Sequence, residues 1–67
     1  MTIDNAKSAH AFVRAWEGHS GARRAIVMAA QSQAGCAILS RTDGDRNGHL
    51  AAVAVLNHAA QRLAAKS

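Results

Sequence analysis

The chain has 67 residues, with eight lysines and arginines against four acids, which gives a formal net charge of +4 and a pI of about 10.8. No apolar run approaches the roughly 18 residues that a membrane-spanning helix requires, and the N-terminus lacks the basic and apolar stretches of a secretory signal. We therefore expect a cytoplasmic protein with no membrane partner, folded as a single domain over residues 1–67. The positive charge suits an anionic partner, although solubility alone explains it equally well.

The apolar content predicts a thin core. Apolar residues make up 49% of the chain, but alanine supplies about half of them. A chain this short usually needs a disulfide, a metal or a partner chain to be stable. Cys36 is the single cysteine, so it cannot form an intramolecular disulfide, and a lone thiol fits a reducing compartment. The four histidines lack the spacing of a helical metal pair. We therefore expect a homodimer without metal or other cofactor.

Residues 3–17 are predicted to form the first helix. Thr2 or Asp4 can cap its start, and Gly18 suits the left-handed residue that ends a helix. Its apolar residues recur at three- and four-residue steps and share one face: Ile3, Ala6, Ala9, Phe12, Val13 and Trp16.

The middle of the chain admits two interpretations. Residues 22–33 are rich in alanine, which allows a helix. Two short apolar runs, 26–28 and 36–39, flank a small polar turn at 32–35, which is typical of a β-hairpin. We favour the hairpin, with its second face covered by another subunit. Its bulky face would carry Arg24, Ile26, Met28, Ala30, Ala37, Leu39 and Arg41.

Residues 48–65 are predicted to form a long second helix. Val55 lies beside small residues that either allow close helix packing or simply favour the helix, namely Ala51, Ala52 and Ala59. The predicted architecture is therefore an α+β fold in the order α-β-β-α, and the alternative is an all-α three-helix fold. The main apolar stripe of the second helix is Leu50, Val53, Leu56, Ala60 and Leu63.

The segment from Asp43 to Leu50 resembles the first eight residues of an EF-hand calcium loop. Asp43, Asp45 and Asn47 stand at its first, third and fifth positions, and Gly48 stands at its sixth. The twelfth position should carry a bidentate glutamate but is Ala54. We therefore expect a polar connection, in which Asn47 or Asp45 caps the second helix, rather than a calcium site.

Two further features are candidate binding residues. Arg23, Arg24, Arg41 and Arg46 would gather at one end of the hairpin, where they either contact phosphates or an acidic protein surface or are simply solvated charges. Trp16 is the single tryptophan, and it either fills the core or anchors an interface.

No residue pattern predicts catalysis. The sequence shows no nucleophile beside a base, no carboxylate pair and no phosphate-binding glycine loop. We expect a non-enzymatic regulatory module that binds another protein and acts by occluding or bridging it, as a homodimer. The alternative is a basic nucleic-acid-binding protein without sequence-specific readout.

Overall fold

The computed structural model describes residues 2–66, and side chains over residues 2–65. It contains three α-helices, α1 (Ala6–Trp16), α2 (Ala22–Leu39) and α3 (Asp43–Lys66), and the described range holds no strand. The predicted α+β class is therefore wrong, and so is the α-β-β-α order. The fold is the all-α three-helix alternative.

Helix α1 confirms the predicted apolar face but begins three residues later than expected. The cap is Asn5, not Thr2 or Asp4: the Ser8 backbone N–H donates to Asn5 Oδ1 at 2.8 Å. The Asn5 backbone N–H donates in return to Ser8 Oγ at 3.1 Å, which completes a reciprocal capping box. Gly18, at φ +80°, follows the helix in the predicted left-handed conformation.

Helix α2 replaces the predicted β-hairpin. Its buried residues, Ala22, Ile26, Ala30, Gln33 and Ala37, follow one another at four- and three-residue steps, as one helix face requires. A strand would have placed Met28 on the same face as Ile26, yet Met28 is 60% exposed. Six alanines in 18 residues favour the helix. They outweigh Gly35, which costs about 1 kcal/mol relative to alanine in a helix interior.

Helix α3 begins five residues earlier than predicted and includes the whole segment from Asp43 to Gly48. Thr42, rather than Asn47 or Asp45, caps it: the Asp45 backbone N–H donates to Thr42 Oγ1 at 3.1 Å. Asp43 and Asp45 occupy the first turn, where the helix dipole favours negative charge. The two aspartates for which the sequence predicted a polar connection therefore form the first turn of a helix.

Helices α2 and α3 form an antiparallel pair joined by three residues, and α1 packs mainly on α3. The largest fully buried side chains are Ile26 and Leu56. Leu56 therefore lies in the core, as the apolar stripe predicted, although it packs against helices and not against a hairpin. Most other core positions are alanines, which let the helix axes approach closely, and they include Ala9, Ala30, Ala52, Ala59 and Ala60.

The segment before α1 crosses α3 at Gly48. A Cβ atom at Gly48 would overlap the backbone carbonyl of Asp4. Ile3, beside that carbonyl, is buried in the core. Position 48 of α3 therefore requires glycine, because the segment that leads into α1 leaves no room there for a side chain.

Candidate protein-interaction site

The α2–α3 pair has one long side that α1 leaves uncovered, which we call the open seam. Two shallow grooves follow one another along it, and neither is lined by any α1 residue. Gly48, which contacts Asp4 ahead of α1, is two residues from Leu50, which lines the seam. Residues two apart on an α-helix point about 200° apart. The open seam therefore lies on the opposite side of α3 from the start of α1.

The half of the seam near the α2–α3 connection is apolar, and we call it the apolar half. Ile38 is 81% exposed and Leu50 is 49% exposed, so a large hydrophobic surface faces water there. Single exposed apolar residues are ordinary, whereas neighbouring exposed apolar residues in one groove form a candidate interaction surface. Arg46 contributes the only charged side chain to its lining, which comprises Ala34, Ala37, Ile38, Arg46, Leu50 and Val53.

The other half of the seam, called the polar half, offers hydrogen-bonding groups. Asn57 and Gln61 come from α3, and Arg23 comes from the first turn of α2. Alanines and a valine form its floor, and the full lining is Arg23, Val27, Asn57, Ala60, Gln61 and Ala64. A partner that lies along the whole seam would thus meet an apolar end and a polar end.

The structure separates the four arginines that a hairpin would have gathered. Arg23 and Arg24 begin α2, whereas Arg41 follows it and Arg46 lies in the second turn of α3. An 18-residue helix is about 27 Å long, so the two pairs lie at opposite ends of the domain. Arg46 donates to Asp43 Oδ1 at 2.9 Å, an exposed ion pair that contributes little to stability.

Trp16 ends α1 and is half-buried. Its ring centroid lies 6.3 Å from that of Phe12 and 6.2 Å from that of His19, the latter in an edge-to-face arrangement. Phe12 packs against the core. Trp16 therefore contacts Phe12 and His19 at the end of α1 and lines neither groove of the open seam.

The segment that resembles an EF-hand loop does not form a loop. Asp43, Asp45 and Asn47 all lie on α3, and Asp43 is paired with Arg46. Because successive helical residues point about 100° apart, these three side chains cannot converge on one cation as they do in a calcium loop. Within the described part of the chain, no three histidine, cysteine, aspartate or glutamate side chains come together as a metal-binding group.

A polar contact joins α2 to α3 at the residues that immediately precede Ala34 and Leu50, which line the apolar half. His49 Nδ1 lies 2.6 Å from Gln33 Oε1, and Gln33 is 7% exposed. An amide oxygen only accepts hydrogen bonds, so this contact requires a proton on Nδ1. A slip of one helix along the other would leave the buried Gln33 amide unpaired, at a cost of about 1–3 kcal/mol. The pair therefore fixes the register that aligns the two walls of the seam.

Helix α1 carries a second, basic surface. Lys7, His10 and Arg14 follow one another at three- and four-residue steps and line one shallow depression with Ala11. All four of these residues are exposed. This surface belongs to α1 alone, whereas the seam is formed by α2 and α3.

Sequence reasoning missed the seam because it placed Ile38 in a strand. If residues 22–39 are arranged as a helix, Arg23, Val27, Ala34 and Ile38 form one stripe beside the buried face. The predicted apolar stripe of α3 includes Leu50, but Leu50 lies at the edge of that stripe and is about half exposed. The sequence signal for the seam was thus a row of apolar residues on each helix, next to the row that is buried in the core.

None of the helices within residues 2–66 is both long enough and apolar enough to cross a lipid bilayer. Comparisons of this chain with models of known families, with curated proteins and with solved structures found no match.

Proposed function

We propose that this protein is a small, non-enzymatic protein-binding module that holds a helix of its partner in the open seam. The observation that carries the proposal is the apolar half, where Ile38, which is largely exposed, and Leu50, which is about half exposed, line one groove. Amphipathic helices commonly bind to other proteins by laying their apolar face into such a groove. A helix held in this way is withdrawn from other contacts, so binding regulates the partner by occlusion.

The proposal includes a cytoplasmic location, supported by the unpaired Cys36, which is half-buried. The homodimer expected from the sequence stays a prediction. The uncovered sheet face that favoured it does not exist, but the thin, alanine-rich core still does. Sedimentation equilibrium at micromolar concentration tests it, and a 7.0 kDa species with a cooperative melt would contradict it.

Affinity capture from the native cell tests the module function. The bait is the full chain, and each sample is divided into nuclease-treated and untreated portions. We expect a protein that is captured equally from both portions and is lost when Ile38→Gln and Leu50→Gln are combined. Both residues are exposed, so glutamine there removes apolar contact area without opening a core cavity.

Met28→Gln is the matched control, because Met28 is also an exposed apolar residue but lines neither groove. The captured protein should be retained by this variant. Equal loss from Met28→Gln and from the groove variant would contradict binding in the seam.

Nucleic-acid binding is the second candidate function, and the basic surface of α1 favours it. Lys7, His10 and Arg14 present cationic or protonatable groups along one helix side, which suits contacts with phosphates. Capture that disappears after nuclease treatment and weakens after Lys7→Gln with Arg14→Gln would support this candidate over the first.

A further inference from the structure

We infer that the occupant of the open seam is an acidic amphipathic helix of another protein, with carboxylates near both ends and an apolar stripe toward one end. This inference rests on the proposed function and adds the chemistry of the partner. It is based on the charges that line the seam, the distribution of apolar residues along it and its length.

The charged residues of the seam are all basic. Arg46 lines the apolar half and Arg23 lines the polar half, and among the side chains described over residues 2–65 no acidic one lines either groove. Arg46 is paired with Asp43, but that carboxylate is 90% exposed and the pair is open to solvent. Arg23 lies in the first turn of α2, which holds no acid and where the helix dipole disfavours a cation. A partner carboxylate beside Arg23 would relieve that unfavourable placement.

The length of the seam sets the spacing of these carboxylates. Along α3, Arg46 is separated by 14 residues from Ala60, which lines the same groove as Arg23. At 1.5 Å per residue this span is about 21 Å, or four helical turns. The partner helix should therefore carry two acidic positions about 14 residues apart. Near the position that meets Arg46, an apolar stripe at three- and four-residue steps would contact Ile38 and Leu50.

A second copy of this chain lacks that chemistry. Its own seam carries the same arginines, and the outer surface of α1 presents Lys7, His10 and Arg14. Contact between two seams would bring basic residues into both walls, and contact of α1 with the seam would place like charges together. The second copy is therefore disfavoured as occupant.

Three synthetic 18-residue helical peptides test this inference by fluorescence anisotropy with the full chain. They share one apolar stripe and differ at two end positions, which are glutamate in the first, glutamine in the second and lysine in the third. An exposed ion pair changes affinity by up to about fivefold. Glutamate at the two end positions would attract Arg46 and Arg23, whereas lysine there would repel them. We therefore expect the glutamate peptide to bind at least about tenfold more tightly than the lysine peptide.

Variants of the chain locate the effect. Arg46→Gln and Arg23→Gln should each reduce the preference for glutamate over glutamine severalfold, and added salt should reduce it as well. Arg14→Gln is the matched control, since it removes the same charge from α1 and should leave the preference unchanged.

The outcomes separate this inference from the function on which it rests. Equal binding of all three peptides, abolished by Ile38→Gln with Leu50→Gln, would overturn the acidic partner and keep the groove. Failure of every peptide to bind, together with native-cell capture that is indifferent to the groove variant, would overturn both. A dimer in sedimentation that the groove variant dissociates would make a second copy the occupant and overturn the inference.

Discussion

The close approach of Asp4 to Gly48 predicts that one substitution has opposite effects at two helical glycines. Alanine is favoured over glycine in a helix interior by about 1 kcal/mol, so Gly→Ala stabilises a helix where there is room. At Gly35, in the middle of α2, an added Cβ meets no atom within 4 Å. At Gly48 the added Cβ overlaps the Asp4 carbonyl, and backbone cannot move aside as a flexible side chain can.

The expected loss at Gly48 follows from what the displaced segment holds. Movement of Asp4 away from α3 pulls Ile3 out of the core, and burial of such a side chain contributes about 1.5–3 kcal/mol. The displacement also strains the bond in which the Asp4 backbone N–H donates to Ser8 Oγ at 2.9 Å. After subtraction of the helix-propensity gain, Gly48→Ala should destabilise the domain by about 0.5–2 kcal/mol.

Thermal unfolding followed by far-UV circular dichroism measures both effects. For a domain of this size, 1 kcal/mol corresponds to roughly 4–8 °C in Tm. Gly35→Ala should therefore raise the Tm by about that amount, and Gly48→Ala should lower it by roughly 2–16 °C. If Gly48→Ala stabilised the domain as much as Gly35→Ala does, the packing of the N-terminal segment across α3 would be refuted.

Three further predictions concern the core, a helix cap and calcium. Leu56→Ala should destabilise the domain by about 2–5 kcal/mol, because Leu56 is fully buried and truncation leaves a cavity; Gln61→Ala, at an exposed position, should change the urea midpoint little, and the reverse order would contradict the assigned face. Asn5→Ala should cost about 0.5–2 kcal/mol through loss of the cap, whereas Asn5→Asp should retain most of the stability; equal losses in urea titrations would show that the cap does not matter. Millimolar calcium should leave the Tm unchanged relative to magnesium, because residues 43–48 are helical; a rise of several degrees with calcium alone would contradict this.

Local sequence patterns were sufficient for α1 and for most of α3. Apolar residues at three- and four-residue steps have a helix as their natural arrangement, and Gly18 suits a left-handed helix end. The helix starts were less well predicted, because aspartate, asparagine, serine and threonine all can cap a helix. At the start of α1, two such residues precede Asn5, and only the geometry of Ser8 selects among them.

The middle segment shows why a short apolar run does not determine secondary structure. Ile26, Val27 and Met28 fit one strand as well as one helical turn. What decides between them is burial of Ile26 and Ala30 on a single face against α3, an interaction between residues far apart in the sequence. Gly35 favoured a turn locally, but its cost of about 1 kcal/mol is smaller than the gain from packing an 18-residue helix.

The sequence by itself determined the helical character of both ends of the chain, the positive charge, the thin alanine-rich core and the central burial of Leu56, because these depend on composition and on periodicity within one element. The tertiary structure alone decided the path of the middle third, and with it the relative positions of the candidate binding arginines. A hairpin reverses the chain within a few residues and would bring Arg24 and Arg41 together, whereas the continuous helix that ends at Leu39 separates Arg24 from the Arg41 end by roughly 22 Å. Likewise, Ile38 and Leu50 become a shared surface only when α2 and α3 lie antiparallel and α1 covers the opposite side, since a groove is a property of two packed helices.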